Sequence, residues 1–332
     1  MVLYFISLDL LSINYKFMKV SVALIVYNGA NYMQTQFNSI LDQTHKVDEI
    51  IVVEDASTDN TKEILANFSS QYPGLFHIIH NPKNLGSYKS IEKAIKLCTG
   101  DIILLADHDD FWYSNKVATT LKWFEAYPSM NGVFTNGYLM NAQGEINNNY
   151  NLWDSMSFPH NIINTANNLK LYINTVENSV TGAAMALRNN LTFLKTPFPQ
   201  IKYLIHDRWL AIHLAENNSL GILNEKLINY RLHPTQETGG RKTDIEKYIE
   251  RNKQMFLKNT ELSSFEDLRF ILNKIEINLF IQKEIKKLGS IDFDNENYIT
   301  ILENKHSMYM NVGFQKWPLL SLLRKIKKGL GL

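Results

Sequence analysis

The 332-residue chain is 45% apolar, ample for one large domain or two modest ones with a true core. Its 34 basic and 33 acidic residues leave a formal charge of +1, which removes any global electrostatic case for nucleic-acid binding. A single cysteine, Cys98, excludes an intrachain disulfide framework and a cysteine-based zinc site, and fits a reducing compartment.

Residues 1–17, MVLYFISLDLLSINYKF, resemble a signal peptide only superficially. No basic segment precedes the apolar part, Asp9 interrupts it and no small-residue cleavage site follows. The run is also too short to span a bilayer, as is every later apolar segment, so the body of the protein is expected to be soluble. Two readings stand: Met18 is the natural start, or residues 1–17 are an irregular N-terminal extension.

From Val20, short apolar runs alternate with amphipathic ones. Val20 to Val26 is apolar at nearly every position, as in a strand buried on both faces. Asn31 is placed to cap a helix with Met33, Phe37, Ile40 and Leu41 on one face. Glu49 to Val53 predicts a second strand, and Ser57 or Thr58 is placed to cap a helix carrying Ile64, Leu65 and Phe68. Phe76 to His80 predicts a third strand, followed by a helix with Ile91, Ala94, Ile95 and Cys98 on its core face. Ile102 to Ala106 predicts a fourth. This alternation implies an α/β fold with a parallel, doubly wound sheet.

Residues 151–235 mix polar loops with apolar runs, among them NSVTGAAMALR (Asn178 to Arg188) and IHDRWLAIHLA (Ile205 to Ala215). From about Asp244 to Asn311 the composition turns helical, with Leu268, Leu272, Ile275 and Leu279 at three- and four-residue spacing. A linker is expected near Gly239-Gly240, dividing 18–238 from a helical region at 239–332. The tail KWPLLSLLRKIKKGLGL (316–332) reads either as a basic amphipathic helix on an anionic membrane or as a terminal helix docked on its own protein.

In such sheets ligands bind beyond the carboxyl ends of the strands. The residues there are Tyr27-Asn28-Gly29, then Glu54 to Asp59, Asn81 to Gly86, and Asp107-His108-Asp109-Asp110. The last cluster is not an EF-hand loop, because Trp112 and Ala118 stand where a glycine and a bidentate glutamate are needed. No G-x-G-x-x-G, P-loop or G-x-S-x-G element is present. The residues alone leave two readings: a solvated acidic loop, or a hard-cation site for a phosphorylated ligand.

The series VSVALIVYNGANYMQTQFNSILDQT, EIIVVEDASTDNT, NPKNLGSY and LLADHDDFW resembles family 2 glycosyltransferases of the GT-A fold, over about residues 18–235. The resemblance implies a mostly parallel sheet flanked by helices, with a C-terminal helical extension. It places the nucleobase at Asp55, with Val26 and Tyr27 beside it, and Asn84, Gly86 and Lys89 near the donor. Asp107 and Asp109 match the D-x-D element, with Asp109 on the metal, Mn²⁺ or Mg²⁺, and Asp107 on ribose or metal-bound water. His108, between them, stands where relatives often carry glutamine or alanine, and its role is open. His206-Asp207-Arg208-Trp209 matches the acceptor-side element, which makes Asp207 the candidate general base. Thr181, Gly182 and Trp209 fall on the acceptor side. Tyr230-Arg231-Leu232-His233 resembles a Y-R-x-H element near the diphosphate, with His233 a further candidate metal ligand. The residues also admit plainer roles: Asp55 or Asp207 as a helix cap, His233 as a satisfied histidine and Trp112 as packing.

The implied reaction moves a sugar from a nucleoside-diphosphate donor to a hydroxyl of a saccharide, with inversion and Asp207 as base. A polyprenyl-diphosphate-linked acceptor, surface polysaccharide synthesis of the O-antigen or capsule kind, and a cytoplasmic site at the inner face of the membrane are the accompanying expectations. A rhamnosyltransferase-like subgroup and no nucleic-acid partner complete them. Two competing readings are a catalytically silent nucleotide-sugar-binding module and a metal-dependent phosphohydrolase.

Overall fold

The computed structural model describes residues 18–236, 245–257, 262, 264–289 and 293–317. Residues 1–17, the Gly239-Gly240 linker and all but the first two residues of the 316–332 tail lie outside them.

Strands β1 (Val20–Val26), β2 (Glu49–Glu54), β3 (Phe76–His80) and β4 (Ile102–Asp107) alternate with helices α1 (Met33–Leu41), α2 (Thr61–Gln71) and α3 (Ser87–Leu97). They pair in parallel in the order β3-β2-β1-β4. Alternate residues divide between two cores. Ala23, Ile51, Val53, Ile103 and Leu105 pack with Ile91, Ala94 and Ile95 of α3, whereas Val22, Leu24, Val52 and Leu104 pack with Phe37 and Ile40 of α1 and Leu65 of α2. That two-sided burial is why these strands are apolar at nearly every position, each buried Val, Leu or Ile contributing about 1.5–3 kcal/mol.

Beyond β4 the sheet becomes mixed. β5 (Phe111–Trp112) and α4 (Lys116–Ala126) lead to β6 (Gly132–Asn141) and β7 (Ile146–Asn151); α5 (Leu152–Ser155), α6 (Ala166–Thr175), β8 (Met185–Arg188), α7 (His206–Glu216) and β9 (Leu220–Leu232) follow. β8 runs antiparallel to both β4 and β6, β6 runs parallel to β9, and β5 closes antiparallel on β9. The expected parallel sheet therefore holds for the first half only.

The expected helix caps are reassigned. Tyr32 and Asn60 precede α1 and α2, and neither caps through its side chain. Ser57 and Thr58, expected as caps, instead lace two strand-end loops together: Asn28 N donates to Ser57 Oγ (3.0 Å) and Thr58 N to Asn28 Oδ1 (2.9 Å), and Gly29 N donates to Thr61 Oγ1 (2.9 Å) beside them. Asn28 (φ 49°) and Ala56 (φ 61°) hold left-handed backbone at these turns, which is costly for Ala56 and marks the rim as a built surface.

Helices α8 (Ile245–Leu257), α9 (Phe265–Lys287) and α10 (Asn295–Lys316) complete the described chain. α9 packs on α10 and α6 along a buried polar seam. Arg208 Nη2 donates to Ile173 O (2.8 Å) and Asn278 Oδ1 (2.5 Å), Gln282 Nε2 to Asn174 Oδ1 (2.9 Å), and Tyr298 OH to Glu216 Oε1 (2.8 Å). No helix among the described residues is long and apolar enough to cross a membrane.

Candidate active site

β4 delivers Asp107 at its last position, level with Ile25 of β1, and the chain then turns sharply through His108, Asp109 and Asp110 into β5. One ligand oxygen from each of Asp107, Asp109 and Asp110 lies within 4.8 Å of the others. Arg231 holds the turn from β9: its N–H donates to Asp110 Oδ1 (3.0 Å), its Nε to Asp109 O (2.6 Å), and its Nη1 to Asn141 O and Ala142 O (3.2 and 3.1 Å). The Tyr32 ring backs the guanidinium at 4.7 Å. His233 Nε2 lies 2.8 Å from Asp109 Oδ2, and its Nδ1 lies 2.9 Å from Thr235 Oγ1.

These contacts separate the three carboxyl groups. Burial, then the charges of Asp109 and Asp207, push Asp107 up to about 7. Burial, then the charges of Asp109 and Asp107, raise Asp110 well above the usual range, and its Oδ2 is buried with no hydrogen-bond partner. Burial acts in the same sense on Asp109, but the His233 hydrogen bond and the charges of His108 and His233 outweigh it and hold Asp109 below the usual range. One carboxylate is thus kept ionised beside two that resist ionisation without a cation.

Two cavities meet at Asp107. One, of about 420 Å³, is lined by Val26, Tyr27, Tyr32, Asp55, Asp109 and His233, among others. The other, of about 350 Å³, is lined by Thr181, Gly182, His206 and Asp207, and by Lys274, Ile277 and Asn278 of α9. Asp107, Ile25 and Ser87 belong to both. In the second cavity Asp207 sits in the first turn of α7, its Oδ1 accepting from Asn178 Nδ2 (2.7 Å) and Arg208 N (2.6 Å) and its Oδ2 from Gly182 N (3.3 Å). Burial nevertheless raises it above the usual carboxylate range, against the opposing effect of His206 and those donors. A carboxylate raised in this way in a cavity wall has the character of a proton acceptor. A Cβ on Gly182 would lie 2.7 Å from His206 Nε2, so any larger residue there would displace the His206 ring.

The profile described as Glycosyl transferase family 2 matches residues 21–188, just over half of the chain. The chain belongs to glycosyltransferase family 2. An uncharacterised glycosyltransferase of Haemophilus influenzae is 27% identical over 315 residues, 93% of this chain and 90% of that protein. The putative teichuronic acid biosynthesis glycosyltransferase TuaG of Bacillus subtilis is 33% identical over 104 residues, 31% of this chain and 41% of TuaG. Matches to several other curated relatives cover between 33% and 44% of their length. Among solved structures, S. aureus TarS 1-349 in complex with UDP-GlcNAc superposes with a TM-score of 0.52 at 17% identity, covering 90% of this chain and 73% of that one, and shares the GT-A type of fold.

The positions matched to family 2 motifs fall into three groups. Val26, Tyr27, Asp55, Asp107, Asp109 and His233 line the first cavity, and Thr181, Gly182 and Asp207 line the second. Asn84, Gly86, Lys89, Arg231 and Trp209 are on neither lining. Asn84 Oδ1 accepts from Gly86 N (3.0 Å), and Lys89 pairs with Glu92 (3.0 Å). Arg231 is spent on the acidic turn, and Trp209 is buried edge-on against His213 (4.3 Å). Asp55 accepts from Asn81 Nδ2 (2.7 Å), Leu85 N (2.8 Å) and Gly86 N (2.8 Å), so it also fixes the loop after β3. His233, matched to the metal, has both ring nitrogens engaged and stands as the partner of Asp109. His108 lines the first cavity, with its ring against Gly29, where a Cβ would lie 2.6 Å from His108 Cδ2. Sequence reasoning missed Tyr32, Asn178 and the three α9 residues. Asn178 lay in a stretch already singled out, but nothing in a helical repeat marks Lys274 or Asn278 as cavity residues.

Proposed function

We propose that the protein transfers a sugar from a nucleoside-diphosphate donor to a hydroxyl of a saccharide acceptor by a single in-line displacement that inverts the anomeric carbon. The observation that carries this reading is that Asp107 is common to two cavities, one lined also by Asp109 and the other by Asp207. A donor in the first cavity and an acceptor in the second would meet at that point. In the first, the nucleoside lies against Val26, Tyr27 and Asp55 and the diphosphate reaches toward Asp107 and Asp109. In the second, Asp207 takes the proton of the attacking hydroxyl, a role worth about 10²- to 10⁴-fold.

The acidic cluster suits a hard divalent cation: its donors are carboxylate oxygens, they converge within 4.8 Å, and the buried Oδ2 of Asp110 is unpartnered. Asp107 and Asp109 would hold Mn²⁺ or Mg²⁺, which supplies neutralisation of the departing diphosphate. His233 orients Asp109, and Arg231 fixes the turn on which all three carboxylates sit.

The A-D-H-D-D-F-W cluster together with Y-R-x-H favours a dTDP-deoxyhexose such as dTDP-rhamnose over UDP-hexoses. A role in surface polysaccharide synthesis on a lipid-linked acceptor draws support from the likeness to TuaG, whose name ties it to teichuronic acid. The basic residues of 316–332 supply the membrane contact in this reading. Calorimetry with UDP-, GDP- and dTDP-sugars, each with and without Mn²⁺, tests the donor; binding by none of them would end the proposal. Turnover decides the rest. Metal-dependent binding without transfer marks a silent binding module, and phosphate release without acceptor marks a phosphohydrolase. Removal of 318–332 is expected to abolish co-sedimentation with anionic vesicles, and undiminished co-sedimentation would take the tail out of the reading.

A further inference from the structure

The loop between β8 and α7 turns an aromatic side chain outward at the mouth of the second cavity. Leu204 is anchored in the core and Phe198 likewise, yet Tyr203 between them is 52% exposed. Its backbone is left-handed (φ 67°), a conformation that a bulky aromatic rarely adopts and that points to a functional demand on where the ring goes. Tyr203 lines the cavity. It also meets Phe280 of α9 edge to face, with centroids 6.2 Å apart at 81°, and Phe280 is itself 39% exposed. Ile205 and Ile277 are on the same cavity wall, and Ile277 lies one helical turn before Phe280.

We infer that Tyr203, braced edge to face by Phe280, forms a stacking platform for a sugar ring of the acceptor, one unit removed from the ring whose hydroxyl is attacked. The inference rests on the glycosyl-transfer reading of the adjoining cavity. An aromatic face offers apolar area to the C–H face of a sugar, and tyrosine adds a polar tip. The neighbouring wall is polar, as the hydroxyl edge of such a ring requires, with Asn178 and Asp207 among its lining residues. It does not fit a hydrocarbon chain, because the polar groups of the wall would be stripped of water by a prenyl chain. Of the nearby cations, Lys274 is held by Glu177 and Arg208 by Ile173 and Asn278, and Lys202 Nζ lies over the Tyr203 ring at 4.7 Å. The C-terminal helical region thereby contributes to acceptor choice, since Phe280 and Ile277 come from α9.

Saturation-transfer NMR on the full chain tests this without nucleotide, using the methyl glycosides of glucose and rhamnose beside cellobiose, maltose and chitobiose. At least one disaccharide is expected to receive transfer on the C–H protons of one ring, more strongly than the methyl glycosides do. Tyr203→Ala and Phe280→Ala should each weaken that transfer by about threefold or more, and Tyr203→Phe should keep it. Phe280→Ala leaves the left-handed turn untouched, and thermal melting of each variant separates loss of the platform from loss of the fold. Absence of transfer to every saccharide in the wild type overturns the platform, and so does equal transfer in both alanine variants. Donor calorimetry is read separately, so a chain that binds no nucleotide sugar fails the glycosyl-transfer reading while the saccharide contact is still scored.

Discussion

Arg208 and Asn278 share a hydrogen bond of 2.5 Å, and it joins the helix that carries Asp207 to the C-terminal helix α9. Both residues are buried, and Asn278 Nδ2 donates onward to Val176 O (3.0 Å). Asn278→Ala strands part of a buried guanidinium and a carbonyl, so it is expected to cost about 2 kcal/mol in urea unfolding. Transfer should fall with it while donor binding holds. Unchanged stability would mean that α9 is not docked through this contact.

Asp207→Asn is expected to retain donor binding and to lower transfer by about 10²- to 10⁴-fold. Because burial raises Asp207, the acid limb of kcat should lie above the ordinary carboxylate value of 3.8. Asn178 favours the charged form through its 2.7 Å bond, so Asn178→Ala should move that limb to still higher pH. A limb that stays in place, or moves down, would assign the base elsewhere.

Asp109→Asn should remove the metal-dependent part of donor binding. The cluster also makes a prediction for the metal-free protein. Asp107 titrates at about 7 when folded against an ordinary value of 3.8, so the folded state keeps a proton that the unfolded chain has released. Stability from this group is complete below about 4 and is lost as pH rises toward 7. Melting in EDTA should show that decline, and either Asp107→Asn or saturating Mn²⁺ should flatten it. A decline identical in Asp107→Asn would exclude Asp107 as its source.

His213 supplies the opposite slope. Burial lowers it to about 4, and its ring lies stacked on Phe193 at 4.1 Å. Here the unfolded chain gains the proton first, so stability present above 6.5 is lost as pH falls toward 4. His213→Phe should reduce that acid loss, as followed by denaturant midpoints between pH 4 and 7. An unaltered profile would place the acid sensitivity in other groups.

The first half of the sheet was legible in the sequence because strands buried on both faces leave an unbroken apolar signature, and Val20 to Val26 is such a run. The acidic turn was legible for a similar reason, since Asp107, Asp109 and Asp110 follow a buried strand directly. Strand direction beyond β4 was not, because β8 is four residues long and its pairing is decided by long-range contacts. Capping is not found at Asn31, Ser57 or Thr58; Ser57 and Thr58 tie the loop after β2 to Asn28, since the polar groups that can close a helix can also tie one loop to another. The α9 contribution was hidden because Lys274, Ile277 and Asn278 are ordinary residues for an amphipathic helix, and only docking turns them toward Asp207.

Asp107 forms part of the wall of both cavities, as do Ile25 and Ser87, so the two chambers adjoin there. A compound that tethers a nucleotide to a sugar would need only a short bridge past Asp107 to occupy both chambers together.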